Sequence, residues 1–187
     1  MKYFQENFIK PEEEKIIEIV NIYSGDRNRS IFQDPNSYTI KLMDSIGKNF
    51  KNVTNIRLIS GVLPDKNNIT HNPFLVLKIN ELESLGMTGS NNALMNGSAV
   101  LQFDTPVTAG YFLNLRTDVS VSSGHSSFSQ PLAELSRLTI SIVDVNNRLF
   151  NFGTDTGPLS PPDISLQHLF TFEISYIVKK RELQNLV

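Results

Sequence analysis

The chain has 187 residues, 40% of them hydrophobic, with 12 Phe and a formal net charge of −2. That is enough apolar content for one domain with a real core, and too much for a disordered chain. A pI of about 5.9 without a basic stripe argues against a direct nucleic-acid binder, and the absence of Cys excludes disulfides, thiolate metal sites and Cys nucleophiles.

Residues 1–15, MKYFQENFIKPEEEK, carry acids and no apolar h-region. They are read as an N-terminal arm, not a signal peptide. No apolar run approaches the ~18 residues of a membrane span, so no transmembrane segment is expected. The first periodic run, EKIIEIVNIYS, fits two templates. Ile16, Ile19, Val20 and Tyr23 would share a helical face, but the β-branched content favours a strand. Asp26, Arg27 and Arg29 then crowd together, followed by the turn Asp34-Pro35-Asn36.

Beyond this joint the dominant period is two. Tyr38, Ile40 and Leu42 alternate with Thr39 and Lys41, and Ile56 and Leu58 with Asn55 and Arg57, until Pro64 closes the run. Leu75, Leu77 and Ile79 follow Pro73, and Ala99, Leu101 and Phe103 end at Thr105-Pro106. Tyr111, Leu113 and Leu115 form one further set, and Leu138, Ile140 and Ile142 another. Asn146-Asn147 reads as a hairpin turn leading to Leu149 and Phe150. The clearest run is LFTFEISYIV, which puts Phe170, Phe172, Ile174, Tyr176 and Val178 on one face. Three stretches, 84–98, 117–130 and 153–166, are rich in Gly, Ser, Asn or Pro and are expected to be long loops. The expected fold is all-β: a single jelly-roll sandwich of two antiparallel sheets over 16–178, with about eight strands and a short ninth. Residues 179–187 are a C-terminal tail, in which Lys179-Lys180-Arg181 reads as a solvated strand end.

Few residues point to chemistry. His71, His125 and His168 have no metal-ligand spacing. His168 reads as a local turn or packing residue. Ser123-Gly124-His125 lacks a nucleophile elbow, and the glycines of 86–89 have no phosphate-binding lysine. Asp104 and Asp144, each at a strand end, read as cap and turn acceptors before they read as a hydrolytic pair. No cofactor or metal is called for, and no enzyme is expected. Sequons at Asn28, Asn52, Asn68 and Asn96 arise readily in an Asn-rich chain and are read as unused. Asp26, Arg27 and Arg29 remain as the one dense charge cluster. It fits either a surface salt network or an interfacial clamp, since Arg makes directional bonds to carboxylates and carbonyls.

Four blocks carry a resemblance. IYSGDRNRSIFQDPNSYTIKL runs from a β-type segment through Ser24, Asp26, Arg27 and Arg29 to the Pro35-Asn36 turn and an alternating strand. FKNVTNIRLISGVLP, LSRLTISIVDVNNRLFNFG and HLFTFEISYIV are the others. Together they resemble capsid proteins of nucleocytoplasmic large DNA viruses, of the chlorella-virus kind. The group includes single jelly-roll pentons and other minor capsid proteins; its major capsid proteins are double rolls of about twice this size. The resemblance implies a structural protein, a penton subunit forming a homopentamer at the five-fold vertices of the virion, assembled in the host cytoplasm. Its partners would be further copies of itself, neighbouring major capsid capsomers and other minor capsid proteins. Asp26, Arg27 and Arg29 would then clamp the barrel end or a subunit interface, and Phe4 and Phe8 of the arm would touch a neighbour. The alternatives are a minor capsid cement protein between or beneath capsomers, and a non-enzymatic ligand- or receptor-binding β-sandwich. The absence of Trp weakens carbohydrate stacking for the latter.

Overall fold

The computed structural model describes residues 13–67, 69–85, 87–103, 112–116, 121–122 and 125–179. Strand β1 (Glu13–Tyr23) settles the first ambiguous run. Val20 and Ile22 point inward, while Ile17 and Ile19 lie exposed on the other face. A helix would have placed Ile19 beside Val20. β2 (Ser37–Lys41) is followed by one turn of helix, α1 (Leu42–Ile46), ended by Gly47 at φ 78°. Leu42, at the helix start, is buried in step with Tyr38 and Ile40, and the left-handed cap at Gly47 ends the helix one turn later.

The remaining strands are β3 (Phe50–Pro64), β4 (Leu75–Ile79), β5 (Ala99–Leu101), β6 (Phe112–Arg116), β7 (Val121–Ser122), β8 (His125–Leu135), β9 (Arg137–Val143) and β10 (Leu169–Lys179). Their pairing is nested and antiparallel. β1 pairs with β10, β2 with β9, β3 with β6 and β8, and β4 with β5. Three further pairings, β10 with β3, β9 with β4 and β5 with β7, complete the sheets. One sheet runs β1-β10-β3-β6, with β8 also on β3; the other runs β2-β9-β4-β5-β7. First strand with last, second with the last but one, third with the eighth: this wrapping is that of a jelly roll.

The core lies between the sheets. Tyr38, Ile40, Leu77, Leu138, Ile140 and Ile142 face Ile22, Ile56, Leu58, Phe170, Phe172 and Ile174, all nearly inaccessible. Full burial of side chains this size contributes about 1.5–3 kcal/mol each before entropy is subtracted. On β10 the inward face holds through Ile174, but Val178 at its end is exposed.

The segments read as loops differ from that expectation in two places. Residues 125–135, partly inside the expected loop 117–130, form β8 on the edge of β3. Its Ser-rich start has no apolar period to reveal it; the backbone ladder holds it. Pro131 falls where the register jumps between Val53 and Asn55, the kind of edge irregularity that tolerates proline. The stretch 84–98 begins in a 3-10 turn (Asn80–Leu85) and folds back over the outer face of β4. There Ala93 packs with Val76 and Val143 in a second, smaller cluster. Gly97 permits this approach: a Cβ there would lie 2.7 Å from both Val76 Cγ1 and Met87 Cε.

Candidate functional site

The charge-rich joint after β1 is a buried lock. Ser24–Asp26 form a 3-10 turn that ends the strand. Ser24 N donates to His168 O and His168 N donates to Ser24 Oγ, each at 2.9 Å. This exchange pins the joint to the start of β10. Arg27 is 4% exposed, and all its nitrogens find acceptors. Nε donates to Phe32 O (2.9 Å), Nη1 to Ser24 O (2.8 Å) and Gln167 Oε1 (2.7 Å), and Nη2 to Gln33 O and Asp155 Oδ2 (both 2.6 Å). The side chains of Arg27 and Asp155 are both fully shielded from solvent. A buried guanidinium is tolerable only when paired and hydrogen-bonded in this way.

Asp155 is equally engaged. Its Oδ1 accepts from Thr156 N (2.7 Å) and Asp163 N (2.8 Å), and its Oδ2 from Arg27 and from Gln167 Nε2 (3.0 Å). Burial alone would raise this carboxyl. The bonds from Asp163, Arg27, Thr156 and Gln167 outweigh it and hold the group below its ordinary value. Gln167 Nε2 also donates to Asp163 O at 2.9 Å. The 27–33 turn, loop 153–166 and the head of β10 are thereby joined.

Beneath the lock lies His168, 1% exposed. Its Nε2 sits 2.9 Å from the Tyr38 hydroxyl, and its ring packs on those of Tyr38, Phe152 and Phe170. Nδ1 has no hydrogen-bond partner among the described residues. Burial, and then the nearby Arg27 charge, lower its pKa from 6.5 to about 3, so the imidazole is neutral at pH 7. Burial likewise pushes the Tyr38 hydroxyl far above its usual range.

The three charged residues thus have separate places. Arg27 is committed inside its own chain. Arg29 reaches over the surface to the carbonyls of Thr156 (3.3 Å), Gly157 (3.4 Å), Pro158 (3.4 Å) and Ser160, and to Thr156 Oγ1 (3.1 Å). Asp26 is exposed and lines a cleft of about 370 Å³ with Phe32, Lys41 and Asp44. Phe4, Phe8, Asn68, Asp104, Ser123, Lys180 and Arg181 lie outside the described residues. Asp144 accepts from Asn146 N (2.8 Å) and Arg148 N (2.9 Å), so its carboxylate organises a turn. His71 is exposed on a 3-10 turn, far in sequence from the buried His168.

The sequence singled out Arg27 and read His168 as a turn or packing residue, which its burial matches, but it did not point to Asp155 and Gln167 as the partners of Arg27 or to Tyr38 as the partner of His168. The one available signal was Asp155 itself, one of two acids, with Asp163, in the Gly- and Pro-rich stretch 153–166. Among the described residues no cluster of three or more His, Asp or Glu could hold a metal, and no helix is long and apolar enough to cross a membrane. No protein-family model matches the chain, and no curated protein is significantly similar to it.

Proposed function

We propose that the protein is a structural subunit of the icosahedral capsid of a large DNA virus, forming the five-membered ring at the vertices. The observation that carries this reading is the nested pairing of one jelly roll, first strand with last, in a chain of 187 residues. A closed roll of this size supplies a stiff wedge whose ends and edges are free for contacts, which suits a shell subunit. The four sequence blocks that resemble capsid proteins add to it. They fall on the lock and β2, on β3, on β9 with its turn, and on β10.

The lock fits a structural role. Arg27, Asp155, Gln167 and Ser24 satisfy one another, so their chemistry is spent on fixing one end of the sandwich. The partners on this reading are further copies of the chain, the surrounding major capsid capsomers and other minor capsid proteins, and its location is the capsid shell.

The test is the position of this chain in an electron cryomicroscopy reconstruction of the particle that contains it. Five copies around each five-fold axis are expected. Density between or beneath capsomers would make it a cement protein. A shell without this chain would overturn the reading and leave a binding module.

A further inference from the structure

The most exposed apolar side chains are not scattered. Leu159 is fully exposed, and Ile164 (74%) and Ile31 (70%) follow it among the described large apolar residues. All three lie on the segments 27–33 and 153–166 that Arg27 and Arg29 tie together. Leu159 stands at the corner of a tight turn in which Ser160 N donates to Gly157 O at 3.0 Å, with Pro158 setting the corner before it. Arg29 holds carbonyls on both sides of that corner, those of Gly157 and Pro158 before and Ser160 after. The turn is therefore ordered before any partner arrives. An exposed apolar side chain on a pre-ordered turn is the form a binding anchor takes.

A matching receptor lies on the neighbouring segment. The cleft of about 370 Å³ beside β2 is lined by the apolar Ile31 and Phe32 and by the charged Asp26, Asp44 and Lys41. β2 is the end strand of its sheet. Neither carboxylate forms a salt bridge among the described residues. Arg29, at the base of the Leu159 turn, meets only carbonyls and a hydroxyl. The knob thus brings an uncompensated cation, and the cleft has one carboxylate more than it has cations. Since Leu159 is fully exposed in its own chain, its own cleft does not hold it.

We propose that Leu159 of one copy seats in the Ile31–Phe32 cleft of a second copy, with Arg29 facing Asp26 and Asp44. The two surfaces differ, so the contact is head-to-tail and propagates until a rotation closes it into a ring. This rests on the reading of the protein as a ring-forming subunit.

The experiment is sedimentation of the full chain over a concentration series, beside Leu159→Asp and Ile31→Asp. Both positions are exposed, so both variants are expected to keep the wild-type melting temperature. Wild type is expected to associate, and each variant to associate about tenfold or more weakly, the loss of one central anchor. An equal mixture of the two variants is expected to form a dimer and nothing larger. One partner keeps its cleft and the other its knob, so only one sound contact remains. If wild type associates and the variants do so equally well, the knob-and-cleft contact is overturned while the ring stands. A mixture that stays monomeric overturns the head-to-tail contact. Wild type that remains monomeric at millimolar concentration overturns both the contact and the ring.

Discussion

Replacing Arg27 with Met should test the lock most directly. The substitution keeps most of the aliphatic stem and removes five hydrogen bonds. Carbonyls of Ser24, Phe32 and Gln33 lose their donor, and the shielded Asp155 carboxylate loses its counter-charge. Breaking one side of a buried pair costs about 3–5 kcal/mol, because the remaining charge is stranded. A domain holds only about 5–15 kcal/mol in total. At about 2–4 °C per kcal/mol for a chain of this size, the melting temperature should fall by about 6–20 °C. Urea unfolding followed by circular dichroism gives the same quantity from the midpoint at constant m. Adding Asp155→Asn removes the stranded charge while leaving one oxygen to accept from both Thr156 N and Asp163 N, so the double variant should be more stable than Arg27→Met alone. A single-variant loss below about 1 kcal/mol, or strict additivity in the double variant, would refute the lock as a coupled unit.

Further outcomes are expected at neighbouring positions. Arg29→Gln should cost less than about 1 kcal/mol, since its bonds are exposed, yet should speed proteolytic nicking within 156–161; an unchanged cleavage rate would show that the guanidinium does not order that turn. His168 should give a pH signature. The unfolded chain protonates it near 6.5, the folded chain near 3. Across that window the unfolded state binds more protons, so stability rises with pH, by at most about 1.4 kcal/mol per unit. His168→Phe should flatten the slope between about pH 4.5 and 6.5, and urea titrations that keep the slope would locate its origin elsewhere. Glu81→Ala should cost about 1–3 kcal/mol, because Glu81 accepts from Thr139 N at 2.7 Å and Thr139 Oγ1 at 2.9 Å; a neutral result in thermal unfolding would mean water replaces the carboxylate.

The strands were legible wherever one face is apolar. β10, β9 and β2 alternate cleanly because each buries one side, and period two is the trace of that burial. β8 was not legible, since its early side chains are mostly serine and backbone pairing to β3 holds it. The lock was half legible. Arg27 is conspicuous in a dense charge run, but its acceptors Asp155 and Gln167 lie 128 and 140 residues away, and local periodicity has no information at that distance. His168 reads from sequence as a turn or packing residue, but only the folded sandwich sets it against Tyr38 from the opposite sheet. The fold-back of 87–98 was hidden by composition: glycines and asparagines that read as loop also allow close packing on β4.

The nested pairing has a consequence for how the chain is made. β1 can find its partner only when β10 exists, roughly 150 residues later, which at about 5–20 residues per second is about 8–30 s of translation. During that interval Val20 and Ile22 have no sheet to bury them, and the long first strand offers open backbone to any neighbour on the polysome. Truncated products lacking the last strand should be trapped by chaperones or aggregate. Completion of the roll therefore acts as a proofreading step: the joint of Ser24 and Arg27 closes on Gln167 and His168 only once the chain has been made as far as β10.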